Sequence, residues 1–352
     1  MITALVVGGG SIGKRHLRNL LATGRTAAVV ETREDRRAEI AAKHPGVPLH
    51  PSLEAALAAE QYRVGFICLP TAYHMDPALA LAGRGLHLFV EKPVSHTLDR
   101  IPELLDLVEQ KKLIAMTGFC MRFFQPLQKA KELLTAGRAG RLVTARSFTG
   151  VYLPDWHPYE DYRSFYMAKK DQGGGVLLDE CHAFDWMQWL CGPITAVSAV
   201  VGTFSDLEVE TDDVCEALVR FGPRMVGSIH LDMVDRSARS EVELIGTEST
   251  VTTPPSHQPG RSSWVSSRNS VTCSTASGTP TQRSATPCVK IPTWSVPVRR
   301  SRCQTSTWTS RIPSDAPAPP RPRTTHQVCI DMHHDMVGSG RVTANLAPPS
   351  GA

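Results

Sequence analysis

Short apolar runs recur along the front of the chain, at Ile2–Val7, Thr26–Glu31, Val64–Leu69, Leu86–Glu91 and Leu113–Gly118. They are rich in β-branched side chains and nearly continuous, as strands buried on both faces require. Amphipathic stretches lie between them; Ile101, Leu104, Leu105 and Val108 keep the i, i+3, i+4, i+7 spacing of one helix face. Strand and helix in alternation predict an α/β domain with a doubly wound parallel sheet, over residues 1–120. After a further helical stretch near 123–136 the rhythm changes. Strand-like runs follow at Leu142–Val151, Ile194–Thr203, Val214–Phe221, Met225–Val234 and Glu241–Ile245, with one helix near Ala183–Leu190. Runs of strands after strand–helix units predict a second α/β domain, residues 121–250, on a mostly antiparallel open sheet.

The pattern stops near residue 250, and composition shows why. From Val251 to Ala352, 44 of 102 positions are Ser, Thr or Pro, with a single Leu (Leu346) and no Glu. Such a stretch buries too little apolar surface to offset its chain entropy, and it shows no helical or strand period. Its three Trp (Trp264, Trp294, Trp308) and four Cys (Cys273, Cys288, Cys303, Cys329), with ten Arg, are foreign to ordinary disordered tails. The expectation is a disordered tail or the product of a frameshift in GC-rich coding DNA. Re-reading the gene in its other two frames separates the two.

Charge and cysteine usage narrow the function classes. A net charge of +4 is too small to argue for nucleic acid or a membrane surface. No apolar run is long enough to span a bilayer, and the start lacks the basic n-region and cleavage site of a signal peptide. Nine cysteines without C-x-x-C pairs or zinc spacing suit a reduced cytoplasm and no bound metal; Cys68 and Cys215 read as small buried hydrophobes.

Three places carry chemistry. Gly8-Gly9-Gly10-Ser11-Ile12-Gly13 matches G-x-G-x-x-G directly after a strand and at the start of a helix. Gly8, Gly10 and Gly13 let the backbone approach a pyrophosphate, whose charge sits on free N–H groups at Ser11, Ile12 and Gly13. Glu31 ends the second strand, where a carboxylate accepts from a ribose 2′-hydroxyl; this favours NAD, with Arg33 nearby keeping NADP open. Glu91-Lys92-Pro93 ends another strand, where Lys92 can stabilise charge on a substrate oxygen. Gly173-Gly174-Gly175 leads into Asp179 and His182, three apart, so that the carboxylate can face the imidazole, stabilise its charged form and poise it near neutrality as a general base. From spacing alone, a capping Asp beside a satisfied core His is the simpler account of the last pair.

Taken in order, VVGGGSIGKRHLRNL, ICLPTAYHMDPALALAGRG, LFVEKP, TGFCMRFFQP, GGGVLLDECHAFDWMQWLCG and VELIGTEST resemble the Gfo/Idh/MocA oxidoreductases over residues 1 to about 250. The resemblance implies a Rossmann domain and a second domain whose open sheet lines the substrate cleft and often an oligomer interface. It implies Lys92 and His182 at the reacting hydroxyl with Asp179 beside them. It further implies Pro70, Thr71, His74 and Glu91 near the cofactor, and Arg122 on the substrate side. Many members space the Asp and His by four, whereas here the spacing is three; the H-x-x-D step from His182 to Asp185 is kept.

The segment Tyr152–Arg163 mixes aromatic, acidic and basic side chains suited to a sugar, and it is similar to one in members linked to surface-polysaccharide and sugar-nucleotide pathways. Asp155, His157 and Arg163 are its substrate-contact candidates; a Pro-anchored linker explains the segment as well. The expected activity is NAD(P)-dependent hydride transfer at a secondary hydroxyl of a sugar, cyclitol or sugar derivative. A sugar- or nucleotide-sensing regulator on the same fold, or an inactive product, are the competing readings.

Overall fold

The computed structural model describes residues 4–156, 158, 160–253, 272–275 and 326–331. The front sheet runs β3-β2-β1-β4-β5-β6, with β1 Ala4–Val7, β2 Ala27–Val30, β3 Leu49–His50, β4 Val64–Ile67, β5 His87–Val90 and β6 Ala115–Thr117. Every neighbouring pair is parallel. Helices α1 Ser11–Ala22, α2 Glu34–Lys43, α3 Leu53–Ala59, α4 Met75–Gly83 and α5 Ile101–Gln110 connect the strands. Both faces of the sheet are covered. Leu5, Val7, Val30, Ile67 and Leu88 point to one buried cluster, and Ala4, Val6, Val29 and Ile40 to another. That explains the unbroken apolar runs. The five strands read from those runs are present; β3 has only two residues, too few to show a period.

The sheet order reverses between β1 and β4, and the crevice outside the carboxyl ends of strands at such a switch point is where ligands bind. Gly8, Glu31, Pro70 and Glu91 all follow the carboxyl ends of strands there.

Helix α6 Gln125–Thr135 leads into the second sheet. Its central strands are β7 Leu142–Tyr152, β8 Ala196–Gly202, β9 Val214–Arg220, β10 Val226–Asp232 and β11 Val234–Gly246. Between β7 and β8 the chain forms two short helices, α7 Leu153–Trp156 and α8 Val176–Asp179, and then α9 His182–Cys191. The sheet is antiparallel except for β10 beside β7. One face packs on α6 and α9, with Ala145, Ala217, Ile229 and Leu231 meeting Leu127, Trp186, Met187 and Leu190. Strand β9 shows the resulting alternation, with Cys215, Ala217 and Val219 inward and Glu216, Leu218 and Arg220 outward. Cys68 and Cys215 are both buried, as expected.

The region after residue 250 differs from its composition-based reading in one respect. Beyond β12 Ser249–Thr252, two further stretches are strands: β13 Thr272–Thr275 pairs with β12, and β14 His326–Asp331 pairs with β8. They occupy the two edges of the eight-stranded order β13-β12-β11-β7-β10-β9-β8-β14. Backbone hydrogen bonding to an existing edge asks little of side-chain composition, so sequence pattern gives no sign of it. The rest of the tail reading, disorder or frameshift, lies outside the described residues. No helix among the described residues is long and apolar enough to cross a membrane.

Candidate active site

The glycine turn is built from close backbone approach. Gly8 has φ +105°, and a Cβ at Gly13 would collide with the Gly8 carbonyl oxygen. Above the turn there is space: a Cβ at Gly10 meets nothing within 4 Å, and α1 starts without a side-chain cap. A helix start of this kind presents unpaired N–H groups and the positive end of the dipole, which suits a diphosphate. Glu31 lies beneath the turn, 6% exposed, accepting from the Gly9 and Arg33 N–H groups, each at 2.9 Å. Its carboxylate therefore shapes the loop. Arg33 is engaged by Asp35 at 3.1 and 2.5 Å, and Arg36 lies 3.7 Å from Glu31.

Lys92 leaves the end of β5 and reaches into the second domain. Its Nζ donates to the Asp179 carbonyl at 2.5 Å and to Asp179 Oδ1 at 3.0 Å. Burial opposes the ammonium, but the negative charge of Asp179, with smaller contributions from Cys181 and Glu180, outweighs it and raises the lysine pKa. Lys92 thus stays protonated. Asp179 Oδ1 also accepts from the Tyr166 hydroxyl, whose pKa burial and Asp179 push well up.

His182 opens α9 after a break at Glu180 and Cys181. The sequence expectation that Asp179 faces and charges this imidazole is corrected here. Asp179 is committed to Lys92 and Tyr166, because the short helix α8 ends at Asp179 and one face is not continued to His182. Burial, together with the Lys92 charge, depresses the His182 pKa to about 4, so the ring is neutral at physiological pH rather than poised near it. Its Nδ1 is buried without a hydrogen-bond partner, while the ring packs edge-on against Phe119. A buried polar atom left unsatisfied in an otherwise paired site marks a place for a ligand group.

Of the three glycines before α8, Gly173 packs against the first domain, while Gly174 and Gly175 pack within the second. A Cβ at Gly173 would lie 3.0 Å from the Ala72 nitrogen and 3.1 Å from Thr71 Cβ, and one at Gly174 would collide with the Tyr166 and Met167 carbonyls. Thr71, buried in the turn that follows Pro70, therefore sits against the second domain's glycine turn, whereas the buried His74 is held within the first domain by the Pro93 and Leu69 carbonyls. Within the second domain, Arg122 donates through Nε and Nη2 to the buried Asp185 at 2.9 and 2.6 Å. Its position beside α9 places it near His182, but its fork is occupied by protein.

The Tyr152–Arg163 segment is less convergent. Asp155 is exposed on α7, and Arg163 is exposed and paired with Asp161 at 3.0 Å and Glu208 at 2.5 Å. Among the described residues neither forms an ion pair with Lys92, Asp179 or His182. His157 lies outside the described residues. No cluster of metal-ligating side chains occurs among those described. Sequence reasoning missed Tyr166 and Glu180. Tyr166 sits among other aromatics with no motif to single it out. Glu180 stands within the quoted GGG segment, where burial and Asp179 raise its pKa against the pull of Lys92.

Residues 2–119 match the profile "Oxidoreductase family, NAD-binding Rossmann fold", and residues 127–252 match "GFO/IDH/MocA C-terminal domain". Over residues 2–252 the chain belongs to the Gfo/Idh/MocA family. Among Gfo/Idh/MocA relatives, the D-xylose 1-dehydrogenase (NADP(+)) 2 of Haloferax volcanii is 30% identical, covering 58% of this chain and 62% of that protein. Levoglucosan dehydrogenase of Pseudarthrobacter phenanthrenivorans is 27% identical, covering 53% of each. The chain thus spans between half and two thirds of these relatives' length. In fold it is similar to the WlbA dehydrogenase of Bordetella pertussis, solved with NADH and UDP-GlcNAcA, at a TM-score of 0.65 and 24% identity over 71% of this chain and 73% of that one.

Proposed function

We propose that the chain is an NAD(P)-dependent dehydrogenase acting on a secondary hydroxyl of a sugar, cyclitol or sugar derivative. Residues 1–120 bind the dinucleotide, and residues 121–250 provide the substrate side and an oligomer contact. The observation that carries this reading is the pairing of a protonated, buried Lys92 with a neutral His182 whose Nδ1 has no protein partner. A dehydrogenase needs a positive group to stabilise the substrate oxygen as its proton leaves, and a neutral base to take that proton. Lys92 fills the first role and His182 the second.

Asp179 keeps Lys92 charged and aimed, and Tyr166 fixes Asp179 in turn. Gly8, Gly10, Ser11, Ile12, Gly13 and Glu31 would hold the dinucleotide, with Pro70, Thr71, His74 and Glu91 around its nicotinamide end. Bound NAD or NADP supplies the hydride acceptor. Arg122 contributes to the substrate side through its exposed edge, and Asp155 and Arg163 lie at its rim. The sugar-linked names of the relatives support the substrate class.

The open face of the second sheet supports a homo-oligomer. Val200, Leu218 and Val226 are exposed on it, Leu218 at 67%. A replacement Leu218→Asp is expected to shift the sedimenting species to monomer; unchanged mass would remove this contact from the proposal. The modest net charge favours neither a nucleic acid nor a membrane surface as partner, and the free cysteines among the described residues fit a cytoplasmic setting.

A screen of polyols, sugars and sugar nucleotides for NAD or NADP reduction tests the activity. Reduction of at least one member, abolished by Lys92→Met, is the expected result. Dinucleotide binding without reduction of any member would favour the sensing role over the enzyme.

A further inference from the structure

The turn Glu91-Lys92-Pro93 is held from both sides by histidines, neither of which takes part in the proposed proton or hydride transfer. His16 lies on α1, just past the glycine turn, and its Nε2 sits 2.6 Å from Glu91 Oε1. Its ring is braced by Phe66 and Phe89, with centroids 5.6 and 4.9 Å away. The other oxygen of Glu91 accepts from the Lys92 backbone N–H at 3.3 Å, so the carboxylate joins His16 to the main chain of the lysine itself. On the far side, His74 Nδ1 lies 2.9 Å from the Pro93 carbonyl oxygen, and its Nε2 lies 2.7 Å from that of Leu69. His74 is 1% exposed, and no solvent can replace it there.

Both histidines sit on elements that start at the cofactor crevice: α1 begins at the glycine turn, and His74 follows Pro70 and Thr71. Lys92 has a long flexible stem, and its ammonium is fixed at one end by Asp179. The other end is fixed only if the backbone of the turn is fixed. A sub-ångström error in the reacting geometry costs large factors in rate, and the turn is where such an error would enter.

We propose that His16 and His74 are positioning residues that clamp the Glu91–Pro93 turn and so set where Lys92 stands in the cleft. His16 acts through the Glu91 side chain, and His74 acts through the Pro93 carbonyl. The value of the clamp to catalysis rests on the role given to Lys92 above; the clamp itself is a statement about the turn.

Two readouts test it on the full chain. Amide hydrogen exchange of the peptide covering residues 90–95 needs no substrate, and kcat, KM and NADH affinity follow on whichever polyol is turned over. His16→Leu removes the donor and keeps bulk, and is expected to speed exchange of the Lys92 amide by ~10-fold or more while peptides of the second sheet are unchanged. It is expected to lower kcat by ~10–100-fold, with KM and NADH affinity held within ~3-fold. His16→Gln keeps an N–H near the Nε2 position and is expected to restore both exchange and kcat. His74→Gln keeps one of the two carbonyl contacts and is expected to fall between wild type and a full loss. Unchanged exchange at residues 90–95 in His16→Leu, or equal loss in His16→Leu and His16→Gln, overturns the clamp. If His16→Leu does not fold, Glu91→Gln with and without His16→Asn, whose shorter amide falls short of Glu91, decides: additive effects overturn the proposal, and non-additive ones support it. A wild-type chain that turns over nothing would overturn the proposed function, while the exchange data still decide the clamp.

Discussion

The two sheets solve opposite problems. The front sheet is closed on both faces and draws its six strands from a continuous stretch ending at Thr117. Among the described residues the second sheet is covered on one face only, and one of its edges is a strand, His326–Asp331, that pairs with Ala196–Gly202 far earlier in the chain. Local pairing costs little loop-closure entropy, whereas pairing across so long a separation costs more and forms late. The crevice for the dinucleotide is therefore carried by the self-sufficient half, and two of the three residues proposed for the reacting site, Asp179 and His182, by the dependent half. Cofactor binding and turnover should come apart when the molecule is stressed, with turnover lost first.

The comparison breaks most sharply at the residue that crosses it. Lys92→Met is expected to reduce turnover by at least ~10²-fold while leaving NAD affinity within a few-fold, since its side chain serves the far side of the cleft. Calorimetry alongside initial rates checks this, and a parallel loss of affinity would show that the halves are not separable. Asp179→Asn keeps an acceptor for Tyr166 but removes the charge opposite a buried ammonium, which is expected to cost about 3 kcal/mol. The loss should appear as earlier cleavage within 127–252 in limited proteolysis, with NAD still protecting 4–117 because ligand stabilises the folded crevice.

A pH effect sharpens the same contrast. His182 has its pKa depressed from the usual histidine range to about 4, so the unfolded chain binds the extra proton first as pH falls. The stability this group contributes is fully present above about pH 6.5 and is lost progressively as pH falls toward about 4. The unfolding midpoint of the wild type should decline across that window, and His182→Asn should flatten the decline. A steeper slope in the variant would reverse the sign of the argument. The smallest effect concerns the cofactor. The Glu31 carboxylate repels a 2′-phosphate, so NAD is expected to bind roughly 10-fold more tightly than NADP, and Glu31→Ala to narrow the gap. Equal affinities in the wild type would place the 2′-phosphate on Arg33 or Arg36 instead.

What the sequence made legible follows the same division. Buried parallel strands write themselves as apolar runs, and the glycine spacing is dictated by backbone contact, so the front half and its crevice could be read directly. Lys92, Asp179 and His182 stood out as chemical types at element ends, and the ordered motifs tied them together. Their mutual geometry could not be read. Spacing placed Asp179 and His182 on one face, whereas the chain breaks at Glu180 and Cys181 and turns the carboxylate toward Lys92. Tyr166 and His16 act on partners 13 and 75 positions away, and no local pattern encodes such pairings. The edge strands of the second sheet lacked a signal for a similar reason. Backbone pairing at an edge tolerates almost any side chain.

The contact between Gly173 and the Thr71–Ala72 turn has a consequence for building chimaeras. There a Cβ at Gly173 would press on the Ala72 nitrogen and on the Cβ atoms of Thr71 and His96, atoms fixed to the backbone that cannot swing aside to absorb a mismatch. A front half transplanted from a relative would bring its own turn at positions 70–74 onto a surface cut for this one. Such hybrids should work best when Thr71, Ala72, His96 and Gly173 are exchanged as a matched set, whatever the similarity of the remaining sequence.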